Sequence, residues 1–420
     1  MNIFKFGGAS VKNAEGVKQL LNIVIKHKDN LIIVISAMDK ITNAMEELSY
    51  KFYKKEDYSE NLNKIITFHI SIIRELFGNN TEQYVYTHFN SLLEKLKDIL
   101  KSEPSLCYDY EYDRIVSFGE LFSTTIVSEY LNKKGKNNKF IDIRKCVITD
   151  ENYRNANVNW KVSEKQCKQT FTFDNYFTYV TQGFIAGTPT SQNTTLGREG
   201  SDYTAALLAN ILNANDVTIW KDVPGIMNAD PSMYKNTTTI PFMSYKEAIE
   251  LANCGAKIIH PKTIKPLENK QITLYVKSFL APEDPGSIIK NISEKISLPP
   301  VYITKFNQLL LSLTPRDFSF IAEEELSHIF NTLAKFKLNL NLMQNSAISF
   351  SFCIDNNNAI LKDFIDELKK DFEVLYNTNV KLLTIRHYNP KIISELLKDE
   401  DRPFVEQRSR LTARFVLTNK

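Results

Sequence analysis

Two short apolar runs bracket a helical period at the start of this chain, and that arrangement leaves few folds open. Ile3–Phe6 and Leu31–Ile35 are compact and apolar, and the second is β-branched, as expected of strands buried in a parallel sheet. Between them Val17, Leu20, Leu21 and Val24 recur at helical spacing within Ala14–Lys26. Strand, helix and strand over about 35 residues make a βαβ unit. Lys139–Ile143, Tyr179–Thr181 and Val217–Trp220 read as further strands. Helical patterns occupy residues 45–101, 119–131 and 201–211, the last entered through a glycine-rich turn. The alternation predicts an α/β, three-layer domain with a mainly parallel sheet.

A chain of 420 residues exceeds what one hydrophobic core holds, so two domains are expected. Proline and glycine cluster at Ala281–Gly286 and again at Leu298–Pro300, which reads as a linker. Beyond it the order becomes strand (Gln308–Leu313), helix (Glu323–Phe336), strands (Asn339–Met343 and Ile348–Ile354), helix (Ile360–Lys370) and strand (Val380–Arg386). That is a βαββαβ, ferredoxin-like α+β module. A shorter β-α-β-β tail ends with Thr412–Thr418 and shares the Val380–Arg386 strand. The expected division is 1–298 and 299–420.

Composition removes several function classes. Net charge is only +3, from 52 basic and 49 acidic residues, which gives no electrostatic footprint for nucleic acid. No run approaches the roughly 20 apolar residues that span a bilayer, and the N-terminus has no signal-peptide pattern. Five dispersed cysteines without a C-x-x-C argue against both a disulfide framework and a zinc site. A reducing cytoplasm is the expected location.

Six short constellations carry chemistry. Lys5-Phe6-Gly7-Gly8-Ala9-Ser10 places a cation and two glycines at the end of the first strand, before a helix. Glycines let backbone N–H groups approach an anion, and Ser10 reads as a helix N-cap or a phosphate donor. A tight strand–helix turn would look the same, and both the P-loop and the dinucleotide fingerprint are absent. Ser36-Ala37-Met38 to Thr42-Asn43 follows the second strand. Ser117-Phe118-Gly119-Glu120 puts a carboxylate at an expected helix start, where it would also suit the helix dipole. Gly197-Arg198-Glu199-Gly200-Ser201-Asp202 sets one of only eleven arginines beside glycine, and its fork suits a carboxylate. Lys221-Asp222-Val223-Pro224-Gly225 ends a strand, and Gly255-Ala256-Lys257-Ile258 precedes His260-Pro261. Phosphoryl transfer needs such parts: cations and N–H groups for developing charge, and two positioned substrates.

Together these motifs resemble aspartate kinases of the amino-acid-kinase superfamily, in order and spacing. The likeness is strong over residues 1–280 and weaker beyond, where the tail resembles the family's ACT-like regulatory modules. The resemblance implies transfer of the ATP γ-phosphate, with Mg2+, to the side-chain carboxylate of L-aspartate. It implies that Lys5, Gly7 and Gly8 bind the transferring phosphate, with Phe6 and Ser10 in the same turn. It implies Arg198 on the α-carboxylate of aspartate, Glu120 on its amino group, and Ser36, Thr42 and Ser201 around it. Asp202 would order the reacting centre, while Lys221, Asp222, Met227, Lys257 and Ile258 would hold the nucleotide. No protein metal ligand is implied, nor any nucleic-acid or membrane partner. A homodimer through the C-terminal region is.

The chain departs from the family pattern at Met227 and Ser232, where Tyr and Arg are common, and at Lys221, which replaces a commoner Thr. The second ACT-like module reads as short, lacking its closing helix and strand. Asn341 and Ala347 stand where lysine-inhibited members carry acidic residues. Two other readings are a different amino-acid kinase, such as one acting on glutamate, and a non-catalytic amino-acid sensor. The Glu120/Arg198 pair and the tail disfavour the first. The presence of both Lys5 and Asp202 disfavours the second.

Overall fold

The computed structural model describes residues 1–80, 84–256, 259–292, 297–317, 319–398, 400 and 402–419. It has two compact units: Met1–Ile226, Thr239–Ile249 and Lys257–Lys295 form the first, and Met227–Thr238, Glu250–Ala256 and Ile296–Lys420 the second. Among the described residues no helix is long and apolar enough to cross a membrane.

The first unit opens with β1 (Asn2–Phe6), α1 (Ala14–Ile25) and β2 (Leu31–Ile35), followed by α2 (Ile41–Lys54), α3 (Ser59–Phe77), α4 (Tyr84–Lys101) and α5 (Tyr108–Lys133). Next come β3 (Lys139–Ile141), α6 (Trp160–Thr170), β4 (Thr178–Gln182) and the hairpin of β5 (Ile185–Gly187) and β6 (Asn193–Thr195). α7 (Gly200–Leu212), β7 (Asp216–Lys221), β8 (Phe242–Ser244), α8 (Tyr245–Asn253), α9 (Pro261–Lys270), β9 (Thr273–Ser278) and β10 (Ser287–Lys290) complete the order. Among the described residues the main sheet runs β3-β4-β2-β1-β7-β9-β10-β8. From β3 to β9 every pairing is parallel, and β10 reverses against β9. The fold is therefore the expected α/β architecture with a mainly parallel sheet. β2 and β4 are buried along their whole length, which explains their continuous apolar or β-branched character.

Three local expectations are corrected. The Ala281–Gly286 stretch is no linker: it is the turn that folds β10 back onto β9. The helix carrying Glu120 starts at Tyr108, three turns before the expected position. Every residue from Ile115 to Ser128 is buried, so this helix is enclosed on all sides and has no amphipathic period to mark its start. Finally, Gly7 and Gly8 do not sit on a helix N-terminus. Turns intervene up to α1, and Asn13 rather than Ser10 caps that helix, its side chain accepting from Gly16 N.

In the second unit β11 (Val301–Pro315), α10 (Glu323–Lys335), β12 (Leu340–Asn345), β13 (Phe350–Asp355), α11 (Asn358–Leu368) and β14 (Phe372–Arg386) give the ferredoxin-like order. α12 (Pro390–Leu396), β15 (Val405–Arg408) and β16 (Thr412–Thr418) follow. The antiparallel sheet runs β12-β13-β11-β14-β16-β15. β11 and β14 are long strands that serve two modules. The Gln308–Leu313 stretch of β11 pairs with β13, whereas Val301–Lys305 pairs with the half of β14 that also binds β16. The closing strand expected to be missing from the second module is thus supplied by the start of β11. The sequence order hid this, because the strand precedes the first module. The sheet curls, so that Leu310, Leu342, Cys353, Val380, Val405 and Val416 form one inner cluster. Helices α10 and α11 cover one outer half of the sheet and α12 the other.

Candidate active site

Lys5 stands near the end of β1, in register with Val34 of β2 and Ile219 of β7. The chain winds outward from β1 through β2 and β4, then returns to β7 on the other side. Ligands of open α/β sheets bind at the C-terminal strand ends beside such a reversal. Here that edge opens into a cavity of about 430 Å³. Ser36, Thr42, Glu120, Arg198, Ser201 and Asp202 line it with Lys5, although they come from four separate stretches of chain.

Lys5 Nζ lies 2.6 Å from Asp202 Oδ1, and the two side chains are 11% and 4% exposed. Asp202 is in the first turn of α7, so the carboxylate suits both the helix dipole and the lysine. The contact is an ion pair rather than an aligned hydrogen bond. It keeps the ammonium at the cavity floor and leaves its other hydrogens to a ligand.

Two glycines make the cavity's back wall possible. A Cβ on Gly8 would fall 2.8 Å from the Ala37 carbonyl oxygen and 2.9 Å from that of Asp39. A Cβ on Gly119 would fall 3.2 Å from the Ala37 side chain. A glycine inside a helix costs about 1 kcal/mol relative to alanine. At 119 it lets α5 approach the end of β2, which brings Glu120 to its place. Glu120 Oε1 accepts from Ala37 N at 3.2 Å, while Oε2 is buried with no hydrogen-bond partner among the described residues. Burial pushes the carboxyl up to about 8, despite the Ala37 N–H and the nearby Lys5. Glu120 lies in mid-helix, so the dipole explanation for it no longer applies. A buried, half-satisfied carboxyl facing a cavity is a site for a cationic ligand group.

Arg198 is exposed, in the turn before α7, with no intramolecular hydrogen bond or ion pair among the described residues. Its guanidinium fork is available to a ligand carboxylate. Ser201 is held close to the sheet because Gly183 offers no side chain: a Cβ there would lie 2.5 Å from Ser201 Cβ.

The residues expected around the nucleotide are placed less uniformly. Phe6 is fully buried and stacks on Trp220, so only its backbone is open to a ligand. Ser10 is buried, and its hydroxyl donates to the Trp220 carbonyl at 3.3 Å, tying the glycine turn to β7. Lys221 and the exposed Asp222 stand at the C-terminal end of β7, next to β1. Met227 belongs to the second unit. Lys257 and Ile258 lie outside the described residues.

Asn43, from the motif after β2, also lines the cavity, as do Glu46, Tyr112, Arg154 and Phe184, which motif reading missed. Glu46 lies one helical turn after Thr42, so its shared face was legible from spacing. The signal for Arg154 was the scarcity of arginine alone, since no glycine marks its position. A larger cavity, about 570 Å³, lies by α4, α5 and the end of β3. None of the residues singled out from the sequence lines it, so chemistry rather than size identifies the site.

Residues 1–278 match the amino acid kinase family. The lysine-sensitive aspartokinase 3 of Escherichia coli is 31% identical over 358 residues, covering 84% of this chain and 78% of that protein. Chloroplastic aspartokinase 1 of Arabidopsis thaliana is 29% identical over 380 residues, covering 87% of this chain and 65% of that one. The crystal structure of Escherichia coli aspartokinase III in complex with aspartate and ADP superimposes with a TM-score of 0.85 at 26% identity, covering 100% of this chain and 96% of that one. With the family match running from β1 to the end of β9, and a relative 31% identical matched over most of its length, the chain belongs to the amino acid kinase family and, within it, to the aspartokinases.

Proposed function

We propose that this kinase transfers the γ-phosphoryl group of ATP to the side-chain carboxylate of L-aspartate. The product would be 4-phospho-L-aspartate, at the opening of lysine, threonine and methionine synthesis. The observation that carries the reading is a buried Glu120 oxygen and an Arg198, both without a partner among the described residues, on one cavity that has Lys5 at its floor. An amino acid bearing a second carboxylate complements that set: ammonium to Glu120, α-carboxylate to Arg198, reacting carboxylate toward Lys5. The Escherichia coli relative binds aspartate and ADP on the same fold, which supports the assignment.

The nucleophile is the substrate's own carboxylate, ionised at neutral pH, so no protein base is required. Lys5 and the N–H groups of the Gly7-Gly8 turn offset charge on the transferring group. Asp202 holds Lys5, Ser10 braces the turn, and Ser36, Thr42 and Ser201 complete the wall around aspartate. Lys221 and Asp222, at the C-terminal end of β7, hold the nucleotide. Mg2+ fits this donor set because it is carried mainly by phosphates and water. Among the described residues no group of three acidic, imidazole or thiol ligands forms a cage. When bound it would neutralise phosphate charge. A coupled assay of ADP release tests the reading: release should require aspartate, and release with glutamate but not aspartate would overturn it.

Glu120 yields a pH signature. Burial pushes its carboxyl up to about 8, so that it is mostly neutral at pH 7. A substrate ammonium beside Oε2 favours the ionised form, so binding at pH 7 should release roughly one proton. The KM for aspartate should fall as pH rises toward 8 and level off above it. Calorimetry in two buffers of different ionisation enthalpy counts the proton; a count of zero at pH 7 argues against the Glu120–ammonium pairing.

Lysine inhibition is expected to be weak. The Asn341 amide is committed internally: it donates to Gln308 Oε1 at 2.8 Å and Asp355 Oδ1 at 2.9 Å, and accepts from Lys305 Nζ at 2.8 Å. A free lysine ammonium would meet the Lys305 ammonium already present, and the neighbouring Asp355 carboxylate already accepts from the Asn341 and Gln308 amides. Titrating lysine against kinase rate at fixed aspartate checks this, and potent saturable inhibition would contradict it. Homodimerisation through the second unit is part of the same proposal, resting on the exposed Leu375 and Tyr376 of β14.

A further inference from the structure

The wall that carries Arg198 is not held in place by Arg198's own contacts. Its turn is anchored from α5, by Asp113. This side chain is fully buried and accepts three hydrogen bonds: from Thr195 N at 2.9 Å, Thr195 Oγ1 at 2.6 Å and Arg154 N at 2.9 Å. Thr195 lies three residues before Arg198, and Arg154 lines the same cavity. The two turns also meet backbone to backbone. A Cβ on Gly197, whose φ is +79°, would stand 2.8 Å from Asn155 Oδ1 and 3.3 Å from the Arg154 carbonyl oxygen. The Arg154 guanidinium is itself fixed, 3.0 Å from Glu46 and 4.2 Å above the Tyr112 ring centre. One carboxylate therefore ties together two turns that each present an arginine to the substrate cavity.

We propose that Asp113 is a positioning residue for substrate recognition, setting the Arg198 turn against the Arg154 turn so that the guanidinium fork meets the substrate carboxylate. It touches no substrate itself. This role rests on the aspartate kinase reading above. The chemistry demands an ionised acid: three N–H or O–H donors converge on two oxygens. The isosteric amide offers one acceptor and turns its own N–H groups toward a donor. Burial pushes the Asp113 carboxyl up to about 6, against the three hydrogen bonds that favour the charged form, so it remains mainly ionised at neutral pH. Small displacements of a bidentate arginine remove its geometry while leaving its charge, and so act on substrate binding first.

The test uses the full chain and steady-state ADP release, with aspartate and ATP varied separately. Asp113→Asn should raise the KM for aspartate by about tenfold or more, as loss of a charge-assisted hydrogen bond does, with the KM for ATP within about twofold. Thr195→Val, which removes one of the three donors, should give a smaller rise of the same kind. Thr195→Ser, which keeps the hydroxyl, should restore wild-type values. A purely structural role would lower the active fraction and leave the aspartate KM unmoved. Folded Asp113→Asn with unchanged aspartate KM, or with both KM values rising together, overturns the proposal. Should Asp113→Asn not accumulate as folded protein, the Thr195 pair decides, and equal KM values for Thr195→Val and Thr195→Ser overturn it. Failure of the parent reading looks different: the unaltered chain would then show no aspartate-dependent ADP release, and the proposed role would fall with it.

Discussion

Lys5→Ala should lower turnover by roughly 10²–10³, the effect of removing one donor aimed at developing charge, or about 3–4 kcal/mol of barrier. The motivation is positional. Lys5 is a nearly buried cation at the end of the central strand, on the floor of the cavity that also holds Glu120 and Arg198. The substitution also strands Asp202, which is 3% exposed and would lose the ammonium 2.6 Å away. Leaving one partner of a buried pair alone costs up to about 3–5 kcal/mol of stability. Turnover must therefore be measured per folded molecule, with a thermal melt alongside. The double variant Lys5→Ala/Asp202→Asn separates the two effects. It should recover stability relative to Lys5→Ala and remain inactive. Folded Lys5→Ala turning over within threefold of the unaltered chain would remove Lys5 from the phosphoryl-transfer step.

Arg198→Lys should raise the KM for aspartate by about ten- to hundredfold while the KM for ATP changes little, the effect of losing about 1.5–3 kcal/mol of charge-assisted hydrogen bonding. The charge survives but the planar fork does not. Because Arg198 is exposed and makes no intramolecular bond among the described residues, the change should leave the melting temperature almost unmoved. That distinguishes it from Lys5→Ala, where stability and rate fall together. Parallel rises in both KM values would assign Arg198 to the architecture of the loop instead of to substrate recognition.

Much of this protein was legible in one dimension. Strand cores such as Leu31–Ile35 and helix starts such as Ala14 follow from apolar period and local sterics, which act over a few residues. The Lys5–Ser10 and Gly197–Asp202 motifs announced a site because glycine, a scarce arginine and charged residues stood together. Those features are local, and the cavity gathers Lys5 with Arg198, Ser201 and Asp202, although the glycine turn does not open α1, which Asn13 caps. What sequence order could not express was which distant pieces meet. Lys5 and Asp202 are 197 positions apart, and only the parallel register of β1 between β2 and β7 brings the end of β1 to the first turn of α7. Glu120 looked like a helix-start carboxylate; only the burial of α5 on every side turns it into a half-satisfied acid with a raised pKa. Asp113 had no motif around it, and its importance comes from two turns converging on it across the fold. The closing strand of the second C-terminal module was invisible because β11 supplies it before the first module begins. In each case propensity set the element, while long-range register, burial and desolvation set what its side chains do.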